Sequence, residues 1–186
     1  MKSVNWKTLA VLSAAAILNL SAEEMQRWDL KSAKPSEGNK GGKVTLAAAE
    51  EKAPGDRPVL NLHFDFAGAV QKEHTFAGMR FEMPKVNELS SLIFFVKGDL
   101  GGNSLVFQVR DANGRWFNFW PNKMGTPVEG FQKYKINLKG AAISSWGGDP
   151  KVPMTFPLTV FQLLVQYQSG DAARSGDLAF TSVDAE

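Results

Sequence analysis

Residues Ser104 to Trp120 read S-L-V-F-Q-V-R-D-A-N-G-R-W-F-N-F-W, two alternating runs around a D-A-N-G-R turn. The turn decides which side chains share a face. A two-residue Asn113-Gly114 loop sets Val109 opposite Asn118 and Phe107 opposite Trp120, and mixes polar with apolar groups on both faces. A three-residue Ala112-Asn113-Gly114 loop, with Gly114 in the left-handed region, sets Val109 opposite Phe117 and Phe107 opposite Phe119. A one-residue slip flips every side chain, so the register that segregates the faces is the expected one. One face is then apolar. The other carries Gln108, Arg110, Trp116, Asn118 and Trp120. In this reading Asp111 accepts hydrogen bonds from the turn amides.

The same period of two recurs along the chain. Leu60, Leu62, Phe64 and Phe66 alternate with polar residues, as do Met79, Phe81 and Met83. Further runs are Leu92/Phe94/Val96, Tyr134/Ile136/Leu138, Phe161/Leu163/Val165/Tyr167 and a last strand from Leu178 to Val183. No stretch after residue 23 sustains a helical period, and no internal repeat is present. Short strands separated by Gly, Pro, Asn and Asp predict an all-β antiparallel sandwich or jelly roll over residues 23–186. Residues 23–55 are partly irregular. A first edge strand is expected near Trp28 and a short one at Val44–Ala47; a disordered linker is the alternative.

Residues 1–22 have the order of a secretory signal peptide: Lys2 and Lys7, an apolar run from Thr8 to Leu20, and a small residue at Ala22. An amphipathic N-terminal helix is the competing reading. The run is too short and too interrupted for a membrane span, so none is expected after signal removal. Export places the domain outside the cytoplasm, secreted or periplasmic. Without Lys2 and Lys7 the basic and acidic residues are equal in number, which argues against a nucleic-acid partner. The chain has no cysteine, which excludes disulfides, thiolate metal sites and a Cys nucleophile. Stability must come from a core that 13 Phe and 5 Trp can supply.

Indoles among amides and a guanidinium suit a flat, polar ligand such as a sugar. In the later strand Gln166 and Gln168 point outward and extend the face if the strands share a sheet. The competing reading buries the face under the N-terminal segment or a loop, with Arg110 stacked on Trp116. Trp146, in W-G-G-D, either plugs the sandwich edge or lines an edge-loop site. His63 and His74 have no matched carboxylate spacing and read as surface residues. Asp65, Glu73, Glu82 and Glu88 offer carboxylates, but nothing brings two together for glycoside cleavage. No phosphate-binding or dinucleotide motif is present. Lys133, Lys135, Asn137 and Lys139 form a solvated strand face that discourages edge-to-edge pairing.

The strands S-L-I-F-F-V-K-G-D (Ser91 to Asp99) and L-V-F-Q-V-R-D-A-N-G-R (Leu105 to Arg115) are followed by F-Q-K-Y-K-I-N-L (Phe131 to Leu138), W-G-G-D (Trp146 to Asp149) and L-A-F-T-S-V-D (Leu178 to Asp184). In this order, over most of residues 28–186, the chain resembles the galactose-binding-domain-like β-sandwich modules of bacterial extracellular carbohydrate-active proteins. The resemblance implies a two-sheet jelly roll with ligand on one sheet or at the edge loops. It implies, in many members, a structural calcium near the first and last strands. Asp184 sits where a ligand to it would be; no second acidic residue has clear spacing, Glu23 and Glu24 being the possible partners, and no other cofactor is expected. The implied function is non-catalytic binding of a poly- or oligosaccharide. The alternatives are a structural or protein-interaction domain of the cell envelope, using another extracellular protein as partner, and a glycan-active enzyme.

Overall fold

The alternating runs form strands in a computed structural model that describes residues 26–28, 30–38, 41–69, 75–120, 128–139, 144–149 and 152–186. The expected signal peptide, Glu23, Glu24, Glu73 and His74 lie outside the described residues. In chain order the strands are β1 (Gln26–Trp28), β2 (Lys34–Glu37), β3 (Lys43–Ala53), β4 (Arg57–Asp65), β5 (Phe76–Glu82), β6 (Ser91–Gly98) and β7 (Ser104–Arg110). They continue as β8 (Trp116–Phe119), β9 (Val128–Asn137), β10 (Ser144–Trp146), β11 (Val160–Gln166), β12 (Ser175–Thr181) and β13 (Val183–Ala185). The single helical element among the described residues is one 3-10 turn at Leu30–Ser32.

The strands form two antiparallel sheets. In the first, β9 flanks β6, β6 pairs with β12 and β13, and β4, β3 and β1 complete the other side. In the second the order is β10-β8-β7-β11-β5-β2. Apolar side chains of both sheets meet between them. Phe94 of the first sheet lies 4.3 Å from Phe107 and 5.9 Å from Phe161 of the second, centroid to centroid, and all three are fully buried. Such aromatic contacts hold the cysteine-free sandwich together.

β12 and β13 are one strand broken at Ser182. Three residues stand between Phe180 and Asp184 where β6 has two between Val96 and Ile93, which makes a bulge. The Phe95 amide N–H, displaced from a ladder partner, donates instead to Thr181 Oγ1 at 2.9 Å.

The N-terminal region is more ordered than the linker alternative allows. β1 pairs with β13, and Trp28 and Leu30 are core residues, Trp28 meeting Phe81 edge-on at 6.5 Å. Two strands differ from expectation. β3 runs eleven residues rather than four. Residues 34–37, expected to be loop, form β2, where Pro35 is tolerated because β2 is the edge of its sheet.

Candidate functional site

The hairpin adopts the segregating register. Phe107 pairs with Phe119, Gln108 with Asn118, Val109 with Phe117 and Arg110 with Trp116. Gly114 has φ +81°, and its N–H donates to the Asp111 carbonyl at 3.0 Å. Asp111 is buried and holds the turn. Its Oδ1 accepts from the amides of Asn113 and Arg115 at 3.0 and 2.8 Å, and its Oδ2 from the Thr155 hydroxyl at 3.0 Å. The Arg115 side chain, also buried, stacks its guanidinium 4.4 Å from the Phe117 ring.

Sheet order then extends the outer face across six strands. One cross-strand row runs Trp146, Trp116, Arg110, Val160, Glu82. The next runs Ser144, Asn118, Gln108, Gln162, Arg80, Lys34. A third places Val106, Leu164, Gly78 and Ser36 side by side. Gly78 lets Leu164 lie flat there: a Cβ at this position would run into the Leu163 carbonyl and sit 2.9 Å from Leu164 Cδ2.

Two hollows result. The first, of about 470 Å³, has Val106, Leu164, Gln108 and Asn118 among its lining, with Trp120 and Trp146 from one side of the sheet and Phe76 and Gln166 from the other. Asn118 Nδ2 donates to Ser144 Oγ at 2.8 Å, which fixes the amide. The second, of about 400 Å³, is lined by Lys34, Arg80, Glu82, Arg110 and Val160. Trp116 stands in the row between Trp146 of the first hollow and Arg110 of the second. The Trp146 ring is nearly parallel to it, centres 6.1 Å apart and planes 16° apart, and the Arg110 guanidinium lies 5.8 Å from its ring centre. Arg110 is oriented by the turn, its Nε donating to the Gly114 carbonyl at 3.3 Å.

Seven of the eight residues singled out from the sequence thus share one face: Gln108, Arg110, Trp116, Asn118, Trp120, Trp146 and Gln166. The cation–π contact foreseen for a covered face is present, yet Arg110 is exposed and Trp116 half-buried. Trp146 does not plug the sandwich edge. It stands on edge strand β10 and is 44% exposed, the most exposed large apolar residue described. Gln168 lies past the end of β11, where its N–H donates to Asn103 Oδ1 at 3.2 Å, and it lines neither hollow. Gln162, Leu164, Val106 and Arg80 were not singled out. The alternation that turns Phe161 and Leu163 inward also turns Gln162 and Leu164 outward, so the signal for those two was in the sequence.

Of the residues considered for a calcium, only Asp184 is described, Glu23 and Glu24 lying outside the described residues. Its carboxylate is buried in an ion pair with Arg57, whose guanidinium also lies 4.8 Å from the Phe95 ring. Among the described residues no three acidic or histidine side chains cluster. Asp65 caps a turn through the Ala67 N–H at 2.7 Å, Glu88 pairs with Lys139 at 3.2 Å, and Glu82 stands on the second sheet, so these carboxylates occupy separate places. His63 is exposed and contacts Asp177 at 2.8 Å.

No family model and no curated protein matches the sequence. Solved structures do match its shape. The family 11 carbohydrate-binding module of a cellulosomal cellulase of Clostridium thermocellum superposes over 89% of this chain and 95% of its own, with TM-score 0.60 and 12% identity. The same Clostridium thermocellum module in complex with a β-1,3-1,4-mixed-linked tetrasaccharide superposes over 87% and 94%, with TM-score 0.59 and 11% identity. The chain has the β-sandwich fold of a carbohydrate-binding module. An exo-β-agarase shares the fold over 82% of this chain but only 22% of its own length, with TM-score 0.50 and 14% identity. The sandwich therefore also occurs as a small part of a longer enzyme. Among the described residues no helix is long and apolar enough to cross a membrane.

Proposed function

We propose that the outer face of the second sheet binds a carbohydrate chain without cleaving it. The observation that carries this reading is the Trp146–Trp116 platform set beside a row of amides, Asn118, Gln108 and Gln162. Indole faces pack against the C–H faces of sugar rings, and the amides supply paired donors and acceptors for hydroxyls. Arg110 and Gln166 extend the hydrogen-bonding edge. The β-1,3-1,4-mixed-linked tetrasaccharide bound to a module of the same fold supports a saccharide ligand. A non-catalytic role is supported by the scattered carboxylates: a glycosidase needs two flanking one bond. The order of residues 1–22 supports export, and with it an extracellular or periplasmic polysaccharide as target.

The test is retention on a panel of polysaccharides in native affinity gels. Wild-type protein is retarded by at least one of them, and Trp116→Ala and Trp146→Ala lose the retardation with unchanged circular dichroism. Equal retardation of both variants would remove the reading. An exposed aromatic face equally fits a protein partner of the cell envelope. Co-purification of one protein through Trp146, with no glycan bound, would favour that instead.

A further inference from the structure

The polar face holds more positive charge than a neutral sugar requires. Lys34 stands directly opposite Arg80 in the β2–β5 register, a like-charge cross-strand pair that costs stability. Arg110 reaches the same hollow from across β11, and Glu82 is its only acid. Among the described residues no carboxylate lies within ion-pair distance of Lys34, Arg80 or Arg110. On the other sheet, by contrast, Lys97, Lys135 and Lys139 each meet a carboxylate within 3.2 Å. Three cations outnumber the single carboxylate of Glu82 in this hollow, and two of them are planar guanidinium forks suited to a two-oxygen anion. The hollow adjoins the indole platform through Arg110 and Trp116.

We infer that the carbohydrate is acidic, a uronate-bearing polysaccharide. A carboxylate of the chain sits between Lys34, Arg80 and Arg110 while a neighbouring ring lies on Trp116 and Trp146. This rests on the carbohydrate-binding reading and narrows its ligand class. Bidentate arginine pairing with a carboxylate is directional as well as strong, so it selects uronate over neutral sugar at the same ring position.

The test is titration calorimetry of the whole protein with polygalacturonate, a mixed-linked β-glucan and a sulfated galactan. The expected result is tightest binding to polygalacturonate, weakened about tenfold in about 0.5 M sodium chloride. Arg80→Gln weakens it by about tenfold, Arg80→Lys by less, and Glu82→Gln tightens it. Arg80, Glu82 and Lys34 are exposed, so melting temperatures no lower than wild type are expected, slightly higher for Arg80→Gln, and serve as the folding control. Tighter binding to the neutral glucan, lost in Trp116→Ala, would overturn this inference and leave the binding reading intact. Equal binding to the sulfated galactan would overturn the carboxylate assignment. Binding to none of the three, nor to any wider panel, would remove both.

Discussion

On the outer face of the first sheet, Lys97 meets Glu51 at 2.8 Å, Lys135 meets Glu186 at 2.7 Å and, at its edge, Lys139 meets Glu88 at 3.2 Å. On the outer face of the second sheet, Arg80 and Lys34 face one another with no carboxylate of the described residues in ion-pair distance, and Trp146 stands open to solvent beside Trp116. Both faces are built on the same alternation and cover the same core. The first pairs Lys97, Lys135 and Lys139 with carboxylates and shows no exposed tryptophan among the described residues. The second sets apolar rings, amides and cations in rows fixed by the register. On the proposed function, it is the second of these faces that meets the ligand.

Four substitutions sharpen that comparison, from the largest effect to the smallest. Phe107→Ala removes a core ring beneath the binding face and is expected to cost about 3–5 kcal/mol of stability, read by urea denaturation. Asp184→Asn strands the Arg57 guanidinium on the first sheet and should cost about 3 kcal/mol in the same assay while leaving glycan retention unchanged. Trp116→Ala should reverse that pattern. It lowers glycan affinity by about tenfold or more by calorimetry and stability by under about 1 kcal/mol. Lys97→Ala, on an exposed pair, should change stability by no more than about 0.5 kcal/mol and binding not at all. A binding loss in Lys97→Ala would erase the distinction between the faces.

Acid titration adds a fifth, smaller effect on the first face. The Glu186 carboxyl is held below its ordinary value by hydrogen bonds from Lys135 and Ser91. A depressed folded value contributes stability that is present above the ordinary carboxylate range and lost as pH falls through the folded value. Glu186→Gln should therefore lower the melting temperature slightly at neutral pH, and the gap should close below about pH 4.

The hairpin was legible in the sequence because its loop length and its residue alternation agree on one register. Asp111 was legible for the same reason: an Asx side chain at that turn position has amides to hold. The width of the face was less so. Arg80 lies beside Gln162 only because β5 pairs with β11, a contact between residues more than eighty positions apart. Trp146 remained open between two roles because a three-residue edge strand gives no periodicity to read. β3 was read too short because A-A-A-E-E-K-A favours helix in isolation, and pairing with β4 overrides that preference. The pairing of Asp184 with Arg57 is of the same long-range kind.

The most direct measurement is nuclear magnetic resonance titration of isotope-labelled protein with the tightest-binding oligosaccharide. The account predicts that shifts concentrate on the side-chain resonances of Trp116, Trp146, Gln108, Asn118 and Arg80, with β9 and the outer face of β6 unmoved. Shifts centred on Lys97, Lys133 and Lys135, or spread evenly over both sheets, would contradict it.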